Sequence, residues 1–280
     1  MVAGRRRIYK PARWWHGFVM LMPTLFLSHG SPMLLLEEHP SRDFLRGLAS
    51  LVPRPTAIIV ASAHWLTEEP AVSVSAAPET VHDFYGFPEV LYQMRYPAPG
   101  APAIAQETAG LLANAGFVVG QDPGQGLDHG AWQVLALAWP EADIPVFQLS
   151  IQPHRDPAHH ERVGRALASL RRSNVLVIGS GSATHNLRAL RREARPSTDA
   201  WAQAFDDWLS EKIVAGDRDA LLDYRRQAPH AALAHPTDEH LLPLYVALGA
   251  AEAAPGERIH ASFSRGNLSM AAFRFTAQSP

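Results

Sequence analysis

The sequence contains no cysteine. That absence excludes disulfides, thiolate nucleophiles, zinc fingers and iron–sulfur ligation, and it confines any metal site to nitrogen and oxygen ligands. A dominant charge sign is missing too. The 25 basic and 27 acidic residues leave a formal net charge of −2, so the balance favours neither nucleic acid nor an anionic lipid surface as a partner. Long hydrophobic runs are also lacking, since no stretch approaches the roughly 18 to 20 uninterrupted apolar residues of a membrane span. These absences predict a soluble cytoplasmic protein with a small-molecule partner, and they leave its oligomeric state open between monomer and small homo-oligomer. What the chain has in quantity is histidine, 14 in 280 residues, and enough apolar side chain (47%) for a substantial core.

The first 22 residues carry an arginine cluster and then the short apolar run "FVMLM", which Pro23 ends. No small-residue cleavage site follows. This segment reads as a basic N-terminal extension, either disordered or lying ahead of a start at Met20 or Met22, with the domain proper spanning residues 23–280. Within it, short Val- and Ile-rich runs alternate with helical patterns at 41–51, 101–115, 131–138, 157–171, 199–214, 217–226 and 237–250. Strands are expected at "TLFLSH", "AIIVASAH", "AVSVSAA", "GFVVGQ", "PVFQLSI", "VLVIGSGSA" and the late "IHASF…GNLSMAAFRF". The alternation indicates a single α/β domain with a central mixed, largely parallel sheet covered by helices. Thr237, directly after Pro236, is the expected N-cap of the last long helix. Two Pro- and Gly-rich segments, 84–100 and 122–130, are too long for tight turns and are expected to line a site.

Two strand candidates end in the same way, with an imidazole: "TLFLSHGSP" delivers His29 and "AIIVASAHW" delivers His64. Ligands of open α/β sheets bind beyond the carboxyl ends of strands. A third run, "VLVIGSGSATHNL", leads to His185, and its glycines suit close approach of backbone to a ligand. His129 in "LDHGAW" has Asp128 beside it to orient the ring, and His240 in "HPTDEHLLPL" falls in the first turn of the last helix. A protonated imidazole is misplaced at that end of a helix dipole, whereas a neutral, metal-bound one is not. Asp238 and Glu239 beside His240 read as ordinary first-turn acids. His159 and His160 are expected to face solvent, and His39, His154, His230, His235 and His260 to sit in loops or on exposed ends. His82, in "VHDFYGFP", stays undecided beside its aromatic neighbours.

Eight strings in order, "LFLSHGSP", "SAHW", "HDFYGFP", "YPAPG", "DHGAW", "QLSI", "GSGSATHNL" and "PTDEHLLPL", resemble the DODA-type (4,5-DOPA) extradiol dioxygenases of the LigB superfamily over residues 23–275. The resemblance implies a LigB-like fold and a non-haem metal, Fe(II) for activity and Zn(II) as isolated. It implies His29, His64 and His240 as metal ligands, with His185 as active-site acid/base and a fourth ligand in some states, and His129 as a contact to substrate or oxygen. The wider superfamily often has a carboxylate as third ligand. Here His240 takes that place, with Glu239 as its competitor.

The expected reaction is cleavage of a catechol ring of the 4,5-DOPA kind by O2 to a muconic semialdehyde. Asp83, Phe84, Tyr85 and Arg95 are the candidate substrate-binding residues, with the aromatics stacking on the ring, Arg95 facing a carboxylate and Asp83 an amine. Ser28, Thr184 and Asn186 are the candidates for supporting the histidines from behind. Two alternatives stand beside this reading: a zinc-dependent hydrolase, because three histidines activate water equally well, and a non-catalytic metal-binding member of the same fold. A serine hydrolase built on Ser180 or Ser182 fits poorly, because the histidines it needs are already committed.

Overall fold

The computed structural model describes residues 21–191 and 197–276. The expectation for residues 1–20 lies outside that range. Met22 is already part of the fold: it is buried, its N–H donates to Arg171 O, and its carbonyl accepts from Arg171 Nε at 2.7 Å.

Among the described residues the strands are β1 (Thr24–Ser28), β2 (Ala57–Leu66), β3 (Ala71–Ser73), β4 (Gly120–Asp122), β5 (Val146–Ile151), β6 (Val175–Gly181), β7 (Gly256–His260), β8 (Phe263–Ser264), β9 (Leu268–Ser269) and β10 (Ala272–Phe275). Eight of them form one sheet in the order β4-β3-β5-β2-β6-β1-β10-β7, while β8 and β9 make a separate small ribbon. The inner four, β5, β2, β6 and β1, are mutually parallel, whereas β3 meets β5 and β10 meets both β1 and β7 antiparallel. The domain is thus a single α/β layer structure with a mixed, largely parallel sheet. The run "GFVVGQ" yields only the three-residue β4, and it yields it at its end.

Every residue of β1, β5 and β6 is buried, so both faces of the sheet are covered. Alternation sorts the side chains. Phe26, Ile59 and Val177 enter the core shared with Phe205, Leu244 and Tyr245, under the helices Pro157–Ala166, Ala200–Ala215 and Leu242–Ala250. Leu25, Ile58 and Ile178 point the other way, toward Leu45, Trp132 and Leu135 of the helices Pro40–Gly47 and His129–Ala138.

Two expectations about helices are corrected. The last helix begins at Leu242, not at 237: Leu241 is its N-cap, and the Thr237 hydroxyl donates to the Glu239 carboxylate instead. His240 therefore stands in the turn ahead of the helix, outside its first turn. The pattern at 157–171 is helical to Ala166 and continues as a 3-10 segment over Ala168–Ser173.

Two histidines expected at the surface are buried. His160 Nδ1–H donates to Asp156 O at 2.9 Å and its Nε2 accepts the Gln152 N–H at 3.1 Å. His235 donates from Nε2 to Ala183 O at 2.9 Å. Both fill backbone hydrogen-bonding needs inside the core, which periodicity does not reveal.

Candidate metal centre

Because the inner strands are parallel, β1, β2 and β6 bring their carboxyl ends to one edge, and His29, His64 and the Ser182–His185 segment arrive there together. The chain must turn sharply after His29. Gly30 does so at φ +67°, a conformation side chains disfavour. His129 enters from the first helical residue of His129–Ala138, whose N-cap Asp128 accepts the Ala131 N–H. His240 is set against the end of β6: a side chain on Gly181 would lie 2.1 Å from His240 O, and Ser182 N–H donates to that same carbonyl at 2.8 Å. The glycine of "GSGSA" thus admits the backbone that carries a histidine rather than a ligand.

The five imidazoles and one carboxylate form two adjoining groups. Ligand atoms of His29, His64 and His129 lie within 4.8 Å of one another, and so do those of His185, Glu239 and His240. The ring centroid of His240 is 5.0 Å from that of His64 and 5.5 Å from that of His29, and His185 lies flat on His240. All five histidines line one cavity of about 900 Å³, together with Phe84, Phe87 and several arginines.

Hydrogen bonds assign the tautomers. Ser180 donates its hydroxyl proton to Gly130 O at 2.5 Å, so its oxygen accepts from His29 Nδ1–H at 3.1 Å. The His29 Nε2 lone pair is left facing the site. In the same way His240 Nδ1–H donates to Glu239 Oε1 at 3.0 Å, and His240 Nε2 is buried with no partner among the described residues. A buried acceptor with nothing to accept is costly unless a cation or donor fills the space before it. His64 Nε2 faces His29 Nε2 at 3.1 Å, a separation that suits two nitrogens sharing one cation at about 2.1 Å each. The donor set therefore fits a divalent transition metal, with neutral nitrogen ligands and second partners that fix them.

Electrostatics agree. Burial, and then the neighbouring imidazoles, hold His29 and His240 well below the usual histidine pKa. Burial and His129 push His64 down to about 3 against the opposing pull of Asp83. Burial lowers His185 to about 4, with Glu239 opposing and His129 adding. Neutral imidazole is the form that binds metal.

The remaining candidates are distributed unevenly. Asp83 does not face the cavity. Its two carboxylate oxygens accept from the backbone N–H of His129 at 2.9 Å and from His129 Nδ1 at 3.0 Å. Burial raises its pKa, but the His129 contacts outweigh that and hold the carboxyl below its ordinary value. Asp83, not Asp128, orients His129. The Asp128 carboxylate accepts from Ser62 at 2.7 Å and Gln148 at 2.6 Å beneath the site, and burial raises its pKa against those bonds. Phe84 lines the cavity and packs edge-on against His129, centroids 5.7 Å apart. Tyr85, its neighbour, is 91% exposed and turned away. Arg95 also lies outside, its guanidinium donating to Tyr92 O and Met94 O, and His82 accordingly pairs with Met94 O at 3.0 Å.

Ser28, Thr184 and Asn186 brace loops rather than rings: they donate to Ala271 O, Asn267 O and Leu233 O, respectively. The residues that contact the imidazoles are Ser180, Asp83 and Glu239. In the sequence Ser180 stands out only as a poor nucleophile candidate, and its buried, doubly engaged hydroxyl excludes that role.

Residues 23–276 match the family model described as the catalytic LigB subunit of aromatic ring-opening dioxygenase. The chain belongs to the LigB family. It is 45% identical to the 4,5-DOPA dioxygenase extradiol of Beta vulgaris over 91% of this chain and 96% of that one. It is 40% identical to the protein of the same description from Escherichia coli strain K12, over 82% and 85% of the two chains. The crystal structure of an uncharacterized E. coli K12 protein superposes with a TM-score of 0.77 at 35% identity, covering 91% of this chain and 99% of that one. LigB kinship at this level makes the chain an extradiol ring-cleaving dioxygenase. No helix among the described residues is long and apolar enough to cross a membrane.

Proposed function

We propose that this LigB protein holds one Fe(II) on His29, His64 and His240 and cleaves a catechol of the 4,5-DOPA kind with O2 to a muconic semialdehyde. The observation that carries the reading is the orphaned, buried Nε2 of His240, whose ring centroid lies 5.0 Å from that of His64 and 5.5 Å from that of His29, together with the facing Nε2 atoms of His29 and His64. Iron held there would supply Lewis-acid and redox chemistry toward the catechol hydroxyls and O2. Zn(II) suits the same nitrogens and is the ion expected to compete in the isolated protein.

The chain's own residues do the rest. Ser180 and Glu239 keep His29 and His240 in the tautomer that presents Nε2. His185 is the acid/base. Among the described residues neither of its ring nitrogens has a hydrogen-bond partner, and burial keeps the ring neutral, so a nitrogen lone pair is free to take the second catechol proton. His185 holds that proton and returns it later in the turnover. His129, with Asp83 on Nδ1, offers Nε2 toward substrate or oxygen. Phe84 and Phe87 give the catechol ring apolar contacts and exclude water.

The test is anaerobic loading of purified protein with Fe(II) or Zn(II), followed by air and a catechol panel that includes L-DOPA. Iron-dependent oxygen uptake with a yellow product is the expected result. Tight metal binding without oxygen uptake on any catechol would overturn the proposal and bring the zinc hydrolase forward.

A further inference from the structure

The charged lining of the cavity is one-sided. Arg188, Arg191 and Arg265 line it, and no aspartate or glutamate among the described residues does. Two of the three arginines are already committed, Arg191 to Asp199 and Arg265 to Glu37, the latter at 2.8 Å. Among the described residues Arg188 has no carboxylate partner. It stands on the 3-10 turn Leu187–Ala189, three residues after His185. That turn is fastened from several sides: His185 N–H donates to Ala234 O at 2.8 Å, Asn186 Nδ2 donates to Leu233 O at 2.8 Å, Arg188 N–H donates to Asn186 Oδ1 at 3.1 Å, and Asn267 Nδ2 reaches Ala189 O. The backbone carrying Arg188 is therefore held rigidly to the backbone carrying the acid/base.

We propose that Arg188 determines substrate specificity by binding the carboxylate of the substrate's side chain, and that the site accepts carboxylate-bearing catechols whether or not they carry an amine. The inference rests on the ring-cleaving reading above. A guanidinium offers a planar pair of donors that matches a carboxylate. An ammonium tail, by contrast, meets arginines and no acid, because Asp83 is engaged with His129. Arg95, the residue expected from sequence to meet a carboxylate, donates to backbone carbonyls outside the cavity.

The experiment compares 3-(3,4-dihydroxyphenyl)propionate, L-DOPA, 4-ethylcatechol and dopamine on the Fe(II)-loaded enzyme and on Arg188→Ala, Arg188→Lys and Arg265→Gln. Oxygen uptake gives kcat/KM, and anaerobic calorimetry gives binding of the propionate against 4-ethylcatechol. The enzyme should prefer the propionate to 4-ethylcatechol by about 10- to 100-fold, treat the propionate and L-DOPA alike within about threefold, and rank dopamine last. Arg188→Ala should bring the preference close to one in both readouts, Arg188→Lys should restore part of it, and Arg265→Gln should keep most of it. A preference that survives Arg188→Ala, that disappears with Arg265→Gln instead, or a wild type that favours dopamine would overturn the proposal. If no catechol is cleaved, the ring-cleaving reading fails, while the calorimetric preference and its loss in Arg188→Ala still decide the role of Arg188.

Discussion

His185 lies on His240 with ring centroids 3.4 Å apart and planes within 9° of parallel. The two rings both line the cavity yet serve different ends, since His240 is buried with an unpartnered Nε2, whereas His185 is half-buried. On this division of labour, His185→Ala should retain its metal and lose about 10²- to 10⁴-fold in kcat, the usual range for a positioned acid/base. His29→Ala and His64→Ala should lose metal and turnover together. Metal analysis beside oxygen-uptake kinetics separates the cases, and metal-free His185→Ala protein would reassign His185 as a ligand.

Ser180 makes a sharper test of how the imidazoles are held. Ser180→Ala removes the acceptor that keeps the proton on His29 Nδ1, and partners of this kind typically change metal affinity by about 10- to 100-fold. Competition with a chromophoric chelator should show a loss of that size in protein whose circular dichroism is unchanged. Equal affinity in wild type and variant would mean that Ser180 serves only the Gly130 carbonyl.

Much of this site is legible in the sequence, and the reason is geometric. A histidine at or near the carboxyl end of a strand is fixed in position once the strands are parallel, so His29, one residue past β1, and His64, two residues before the end of β2, can be placed from their runs. The motif around His240 marks the residue but misleads about its local structure, because the helix begins at Leu242 after the N-cap Leu241, not at Thr237. Through-space partners are the least legible. Asp83 is 46 residues from His129 and Ser180 is 151 from His29, and no spacing rule links such pairs. Tyr85 and Phe84 are adjacent and equally aromatic, yet the backbone sends one to solvent and the other into the cavity.

Asp83 offers a way to separate orientation from recognition. If its carboxylate holds His129, Asp83→Asn should lower kcat/KM by a similar factor, about 10-fold or more, for L-DOPA and for the propionate that lacks the amine. If it met the substrate ammonium instead, only L-DOPA would suffer. Steady-state kinetics on the two substrates are sufficient to distinguish the outcomes.

Acid sensitivity follows from the histidines that the core buries away from the metal. Burial lowers His160 to about 4, a shift its hydrogen bond to Asp156 O only partly opposes, against an unfolded value near 6.5. Below pH 6.5 the unfolded chain therefore takes up a proton that the folded chain refuses, so stability falls as the pH drops from 6.5 toward 4 and levels off beneath that. Burial takes His235 further, to about 3, which widens its window at the acid end. His160→Gln removes one such proton while keeping an acceptor for the Gln152 N–H. It should destabilise the protein near pH 7.5, where wild type benefits from the native imidazole, and the gap should narrow by roughly 2 kcal/mol at pH 5. Urea unfolding of both proteins at the two pH values measures this difference directly. Parallel pH dependence in the two would show that His160 is protonated in the folded state at pH 5, and acid lability would then have to arise at His235 and the metal-site histidines.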